Sequence, residues 1–184
     1  MTLETYSDLN CHRAAIALGS NLGDSASILT AALQALDQLP HTAVVARSHY
    51  YRTVAVGPPQ PDYLNACAVV TTHLSPAALM QHLLGVEAHF GRVRRERWGP
   101  RLLDLDLILF DDLILNQPTL QVPHPRMHQR AFVLVPLAEV AADWIDPMTG
   151  RAIADLLLSV DQSGIARHQE THFHRPPNTP STKP

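Results

Sequence analysis

An α+β fold, built on an antiparallel sheet with helices packed on it, is predicted by three observations. Short apolar segments of strand character alternate with segments of helical period. Gly, Pro, Asn and Asp punctuate the joins between them. Through residue 110 the order of elements runs β-α-β-β-α-β, the ferredoxin-like arrangement. At 184 residues, one domain with a substantial core is expected.

Arg13 to Leu18 reads as the first strand and ends at Gly19-Ser20-Asn21. Asp24 or Ser25 then caps a helix whose apolar face is Ile28, Leu29, Ala32, Leu33 and Leu36, closed by Pro40. Thr42 to Arg52 reads as a single strand, followed by the turn-rich loop Gly57-Pro58-Pro59-Gln60-Pro61-Asp62. Tyr63 to Thr72 is the next strand. Ser75-Pro76 supplies an N-cap with proline at the first helical position, and that helix runs through Leu79, Leu83, Val86 and Glu87 to about Phe90.

Gly91 to Arg101 shows neither period, contains Trp98-Gly99-Pro100, and reads as a mobile loop. The apolar run that follows, to Phe110, is a strand, which Asp111-Asp112 turns into a short hairpin strand near Leu113 to Leu115. A helix is expected from about Arg130 to Val140, and a short one from Arg151 to Leu158. From Asp161 onward, with Pro176-Pro177, Pro180 and Pro184, the chain reads as a disordered tail. The expected organisation is an N-terminal extension (1–12), a domain (13–160) with its helices on one face of the sheet, and the tail (161–184).

Net charge is −3, so no global positive field recruits nucleic acid or an anionic membrane. Lys183 is the only lysine among 14 basic residues, which leaves 13 arginines. That excludes a P-loop lysine, and any phosphate handling falls to arginine, backbone and metal. Cys11 and Cys67 are too few for a disulfide framework. Met1 to His12 is polar, no apolar stretch approaches the length of a membrane span, and a reducing cytoplasm is expected.

The most informative feature is Asp104-Leu105-Asp106 within the apolar strand. Alternate residues share a face, which puts the two carboxylates roughly 7 Å apart. At an effective dielectric of about 20 they repel by roughly 2 kcal/mol. A divalent cation carrying polyphosphate would relieve this, since hard cations take carboxylate and phosphate oxygens together. Arg92, Arg94, Arg95, Arg97 and Arg101 lie just upstream, suited to the rest of a phosphate chain. A solvated face is the plain alternative for such a charge run, and is the reading kept for Arg95.

Several segments together resemble the 6-hydroxymethyl-7,8-dihydropterin pyrophosphokinase family of folate biosynthesis. They are Ala17 to Gly23, Tyr51-Arg52-Thr53, Gly57-Pro58, Gln60 to Asn65, Glu87, Gly91 to Arg94, Arg97 to Asp106, Val122 to Pro125 and Arg130-Ala131-Phe132. The resemblance implies transfer of pyrophosphate from ATP to the hydroxymethyl group of the reduced pterin, giving the pterin diphosphate and AMP. It implies two magnesium ions on Asp104 and Asp106. Arg92, Arg101 and Arg130 would face the phosphates, and Arg94 and Trp98 belong to a loop that closes over ATP. Tyr63 and Phe132 match a stacking pair for the pterin, with Thr53 and Asn65 on the ring edge and Arg130 close by. His124 and Glu87 match positions at the nucleotide. No residue is assigned as the general base. A monomer with no nucleic-acid or membrane partner is expected. The alternative is a ferredoxin-like nucleotide- or RNA-binding module without catalysis, which the acidic pair on a central strand opposes.

Overall fold

The computed structural model describes residues 11–55, 59–91 and 100–169. In chain order the elements are β1 His12–Ser20, α1 Ser25–Asp37, β2 Thr42–Arg47, β3 Tyr51–Thr53, β4 Tyr63–Thr72, α2 Pro76–His89 and β5 Asp104–Phe110. They continue with β6 Leu115–Gln117, β7 Leu120–Val122, a 3-10 turn Met127–Gln129, α3 Ala131–Ala141, α4 Ile153–Leu157 and β8 Ile165–Arg167. Asp24 caps α1 through Ser27 N–H, and Ser75 caps α2 through Ala78 N–H.

The six-stranded sheet runs β5-β1-β4-β3-β8, with β2 beside β4. All of its pairings are antiparallel. This is the predicted ferredoxin-like order, with four departures from expectation.

The strand expected over Thr42 to Arg52 is broken in two. Arg47 lies opposite Ala68 and Tyr51 opposite Asn65, so four steps on one strand meet three on the other. One residue is extra, as in a bulge. Ser48 occupies the break: its N–H donates to Cys67 O and its hydroxyl accepts Cys67 N–H, both at 2.9 Å.

Helices cover both faces of the sheet, not one. On the first face, α1 (Leu29, Ala32, Leu36) and α2 (Leu79, Leu83) bury Ile16, Leu18, Ala66, Ala68 and Leu105. On the second, α3 (Val133, Leu134, Leu137) and α4 (Ile153, Leu156) bury Ala15, Cys67, Val69 and Ile108. Burial pushes the Cys67 thiol well up, so it behaves as a core residue.

The short strand after Asp111-Asp112 does not return to β5. Instead β6 pairs with β7 across Pro118-Thr119, a nearer partner. The outer edge of β5 is already occupied, by His124 N–H on Ile108 O (2.9 Å) and by Glu87 on Leu105 N–H (2.7 Å).

The tail boundary is also corrected. Ile165 to Arg167 extends the sheet along β3, and His168 N–H donates to Tyr50 O at 2.8 Å. The domain therefore continues past residue 160, and Gly164, at φ +76°, makes the turn into that last strand.

Candidate active site

The second face of the sheet is covered by α3 and α4 along only part of its length. At the open end, β1 is flanked by β4 and β5, and Gly19 lies opposite both Asn65 and Asp104. One step on, Ala17 lies opposite both Cys67 and Asp106. The strand pattern thus brings Asp104 and Asp106 to one face, as their spacing requires. Small residues on β1 leave the floor low. A Cβ on Gly19 would come within 3.2 Å of Asn65 Oδ1 and 3.8 Å of Tyr63 Cδ1.

Above this floor is a cavity of about 310 Å³. Its lining includes Thr53, Tyr63, Asn65, Arg101, Asp104, Asp106, His124, Arg130 and Phe132. Nine of the residues singled out from sequence therefore meet in one place, drawn from β3, β4, the segment before β5, β5 itself, the segment after β7, and the start of α3. Asn65 and Thr53 are buried, and Asn65 Nδ2 donates to Thr53 Oγ1 at 2.7 Å. That bond fixes the amide's orientation and leaves its oxygen at the floor. Tyr63 is partly buried, and burial pushes its phenol pKa up, so the ring stays neutral. The Arg130 guanidinium lies 5.5 Å from the centre of the Phe132 ring, within cation–π range.

The charge balance here is local. Arg101 Nη1 donates to Asp104 Oδ1 at 2.7 Å. Asp106 has looser neighbours, with Arg130 Nη1 at 3.5 Å and His124 Nε2 at 3.8 Å. Burial, then the charge on Asp104, raise the Asp106 pKa against the pull of His124, Arg130 and Arg101. Burial also depresses the His124 pKa, so its ring is neutral near pH 7. The Arg126 N–H donates to His124 Nδ1 at 3.1 Å. The ring proton therefore sits on Nε2, facing Asp106 as a donor. Neither ring nitrogen is set to accept a proton from a substrate hydroxyl.

Three predicted positions, Arg92, Arg94 and Trp98, lie outside the described residues. Glu87 is described, but it is not in the cavity. It is fully buried on α2, on the opposite face, and its Oε1 accepts Leu105 N–H at 2.7 Å. Through this bond the side chain supports the strand between the two aspartates. An acid spaced in register with Leu79, Leu83 and Val86 carried that signal in the sequence.

Residues not predicted also matter. Val54 and Arg126 line the cavity. Asn21, 3% exposed, joins three segments. Its N–H donates to Arg101 O (3.0 Å) and its Oδ1 accepts Arg101 N–H (2.8 Å). Its Nδ2 donates to Gln60 Oε1 and Pro61 O, both at 3.0 Å. A polar residue just past the end of an apolar strand gives no such hint, because its partners lie 39 to 80 positions away.

The donor set suits a hard divalent cation: two carboxylates on one face, one of them incompletely compensated. Among the described residues no group of three or more His, Cys, Asp or Glu is arranged to hold a metal. A cation on Asp104 and Asp106 would complete its shell with phosphate oxygens or water.

Comparisons with known proteins bear on the same residues. The sequence profile of the 7,8-dihydro-6-hydroxymethylpterin-pyrophosphokinase family matches residues 15–142. The 2-amino-4-hydroxy-6-hydroxymethyldihydropteridine pyrophosphokinase of Synechocystis is 48% identical over 155 residues, covering 84% of this chain and 80% of that one. The protein of the same name from Pseudomonas aeruginosa is 45% identical over 156 residues, covering 84% and 96%. Among solved structures, HPPK-DHPS in complex with substrates superimposes with a TM-score of 0.65 at 11% identity, over 80% of this chain. Wild-type Plasmodium falciparum HPPK-DHPS with pteroate gives 0.66 at 12% identity, over 81% of it. The chain spans only 43% and 42% of the length of those two chains, which share its fold.

Proposed function

The chain belongs to the 7,8-dihydro-6-hydroxymethylpterin-pyrophosphokinase family, and from that membership and the cavity we propose that it is an ATP-dependent pyrophosphokinase. It transfers the terminal two phosphates of ATP to 6-hydroxymethyl-7,8-dihydropterin, giving the pterin diphosphate and AMP, in folate biosynthesis. The observation that carries this reading is the shared floor. Gly19 lies between Asn65, beside the aromatic pair, and Asp104 of the acidic pair, so a ring and a phosphate chain are held one strand apart.

In this reading Tyr63 and Phe132 hold the pterin faces, and Asn65 and Thr53 read its edge. Asp104 and Asp106 hold magnesium, two ions in the full complex, whose chemistry is to neutralise and polarise the phosphate chain. Arg101 and Arg130, with Arg92, meet the phosphate oxygens, and the Nε2 proton of His124 adds a neutral donor on the same side. Arg94 and Trp98 serve the nucleotide. The substrate oxygen attacks the β-phosphorus as the bond to the α-phosphate bridging oxygen breaks. The protein's contribution is alignment of that line and a fixed field of donors along it.

The reading extends to a monomer acting in the cytoplasm. No helix among the described residues is long and apolar enough to cross a membrane. The binding-module alternative is not favoured, since the family is one of pyrophosphokinases.

Incubation with the reduced hydroxymethylpterin, ATP and magnesium tests the proposal. AMP and a doubly phosphorylated pterin, formed in equal amounts, are the expected products. ADP with a singly phosphorylated pterin, as from attack at the γ-phosphorus, overturns it.

A further inference from the structure

Glu139 is not among the residues lining the cavity and has no part in the mechanism above. It sits on α3 seven residues after Phe132, two helical turns on the same side and roughly 10 Å along the axis. Its carboxylate collects three donors. His49 N–H donates to Oε2 at 3.0 Å, Tyr51 Oη–H donates to Oε2 at 3.0 Å, and His49 Nδ1 meets Oε1. All three donors belong to β3 or to the break just before it. Tyr51 is two residues from Thr53, so both side chains lie on one face of β3.

The two elements joined by Glu139 carry the two sides of the pterin slot. Phe132 stands at the start of α3, and Thr53 at the end of β3, bonded to Asn65. No hydrogen bond or ion pair described across the slot itself joins Phe132 to these polar readers. Behind the slot, Glu139 meets Tyr51 and His49 and so ties α3 to β3, in addition to the packing of Val133, Leu134 and Leu137 against Cys67 and Val69 of β4. Burial acts to raise the Glu139 pKa, but the His49 and Tyr51 donors outweigh it and hold the carboxyl below its ordinary range. The strut is therefore ionised at neutral pH.

We propose that Glu139 is a positioning residue that sets the width of the pterin slot, acting through Phe132 on one side and Tyr51–Thr53 on the other. The inference rests on the pyrophosphokinase reading. It predicts an effect that falls mainly on the pterin: Asp104, Asp106 and Arg101 lie on or beside β5, which the strut does not touch, and of the described phosphate-facing residues only Arg130, at the start of α3, shares the strut's helix.

The test is a split between the two substrates. In Glu139→Ala, equilibrium affinity and KM for the reduced pterin should weaken about tenfold, while KM for ATP stays within about twofold. Tyr51→Phe, which removes one hydroxyl at the surface of the strut, should show the same split at about threefold. If both act through one strut, the double variant should be no worse than Glu139→Ala alone. Equal loss for both substrates, additive effects of the two substitutions, or a melting-temperature drop with unchanged pterin affinity each overturns the inference. Wild-type protein without pterin binding or product would overturn the functional reading instead, so the two failures are distinguishable.

Discussion

Asn21 and Arg101 exchange two hydrogen bonds, Asn21 N–H to Arg101 O at 3.0 Å and Arg101 N–H to Asn21 Oδ1 at 2.8 Å. A side-chain oxygen here does the work of a backbone carbonyl, and the pair behaves like one rung of a sheet. The rest of the amide holds Gln60 and Pro61, so the residues leading to Tyr63 and those leading to Asp104 share one anchor.

Asn21→Asp should therefore be harmful despite its identical shape. A carboxylate cannot donate, and it would face the oxygens of Gln60 and Pro61. A loss of about 1–3 kcal/mol is expected for the broken buried bonds, with weaker affinity for both substrates. Denaturant titration and separate binding isotherms measure these. Unchanged affinity for either one would show that the anchor serves only the fold.

Asp106→Asn should abolish turnover, by about a hundredfold or more, without weakening the fold. The sign follows from the raised pKa: burial and Asp104 disfavour the charged form, so an ionised Asp106 is a net burden on the metal-free protein. At pH 7 without magnesium, the variant should unfold at the same or a higher denaturant midpoint than wild type. A clear fall in midpoint contradicts the account of its charge.

The same shift fixes an expectation for the pH profile. The acid limb of kcat/KM should lie above the ordinary aspartate value of 3.8, because protonated Asp106 cannot hold a cation. Raising magnesium should move the limb to lower pH, since cation and proton compete for one carboxylate. Rate profiles at two magnesium concentrations decide this.

Asp146 gives the opposite sign in a structural role. It is fully buried before a turn and accepts bonds from Met148 N–H (3.2 Å), Thr149 N–H (3.0 Å), Thr149 Oγ1 (2.5 Å) and His128 Nε2 (2.8 Å). Burial acts to raise its pKa, but the Thr149, His128 and Met148 donors prevail and lower it from 3.8. Its ionised form stabilises the fold at pH values above the unfolded pKa, and that contribution fades as pH falls through the folded one. Asp146→Ala should cost about 1–3 kcal/mol at pH 7, with a smaller penalty near pH 3. A penalty independent of pH would show that the charge is irrelevant.

The sequence was most legible where a residue's role is set by its own strand or helix. Asp104 and Asp106 share a face because of a period of two, and Ser75-Pro76 caps α2 because of local chemistry. It was least legible where the partner is remote. Glu87 looks like any acid near a site until α2 is laid against the edge of β5. The break at Ser48 depends on Cys67, 19 residues away. Ile165 to Arg167 is too short to show a period and becomes a strand only because β3 offers an edge. Fold order survived these errors, because the long strands β1 and β4 carry it.

The low floor at Gly19 has a consequence for inhibition. A compound filling the space above that residue would touch the ring side and the phosphate side at once. Escape by thickening the floor would begin with one methyl group, at 3.2 Å from an Asn65 oxygen whose amide is already tied to Thr53. That amide has little room to retreat. A mutation that evicts such a compound would crowd the enzyme's own substrates at the same point, so drug resistance at this position would cost the activity it was meant to protect.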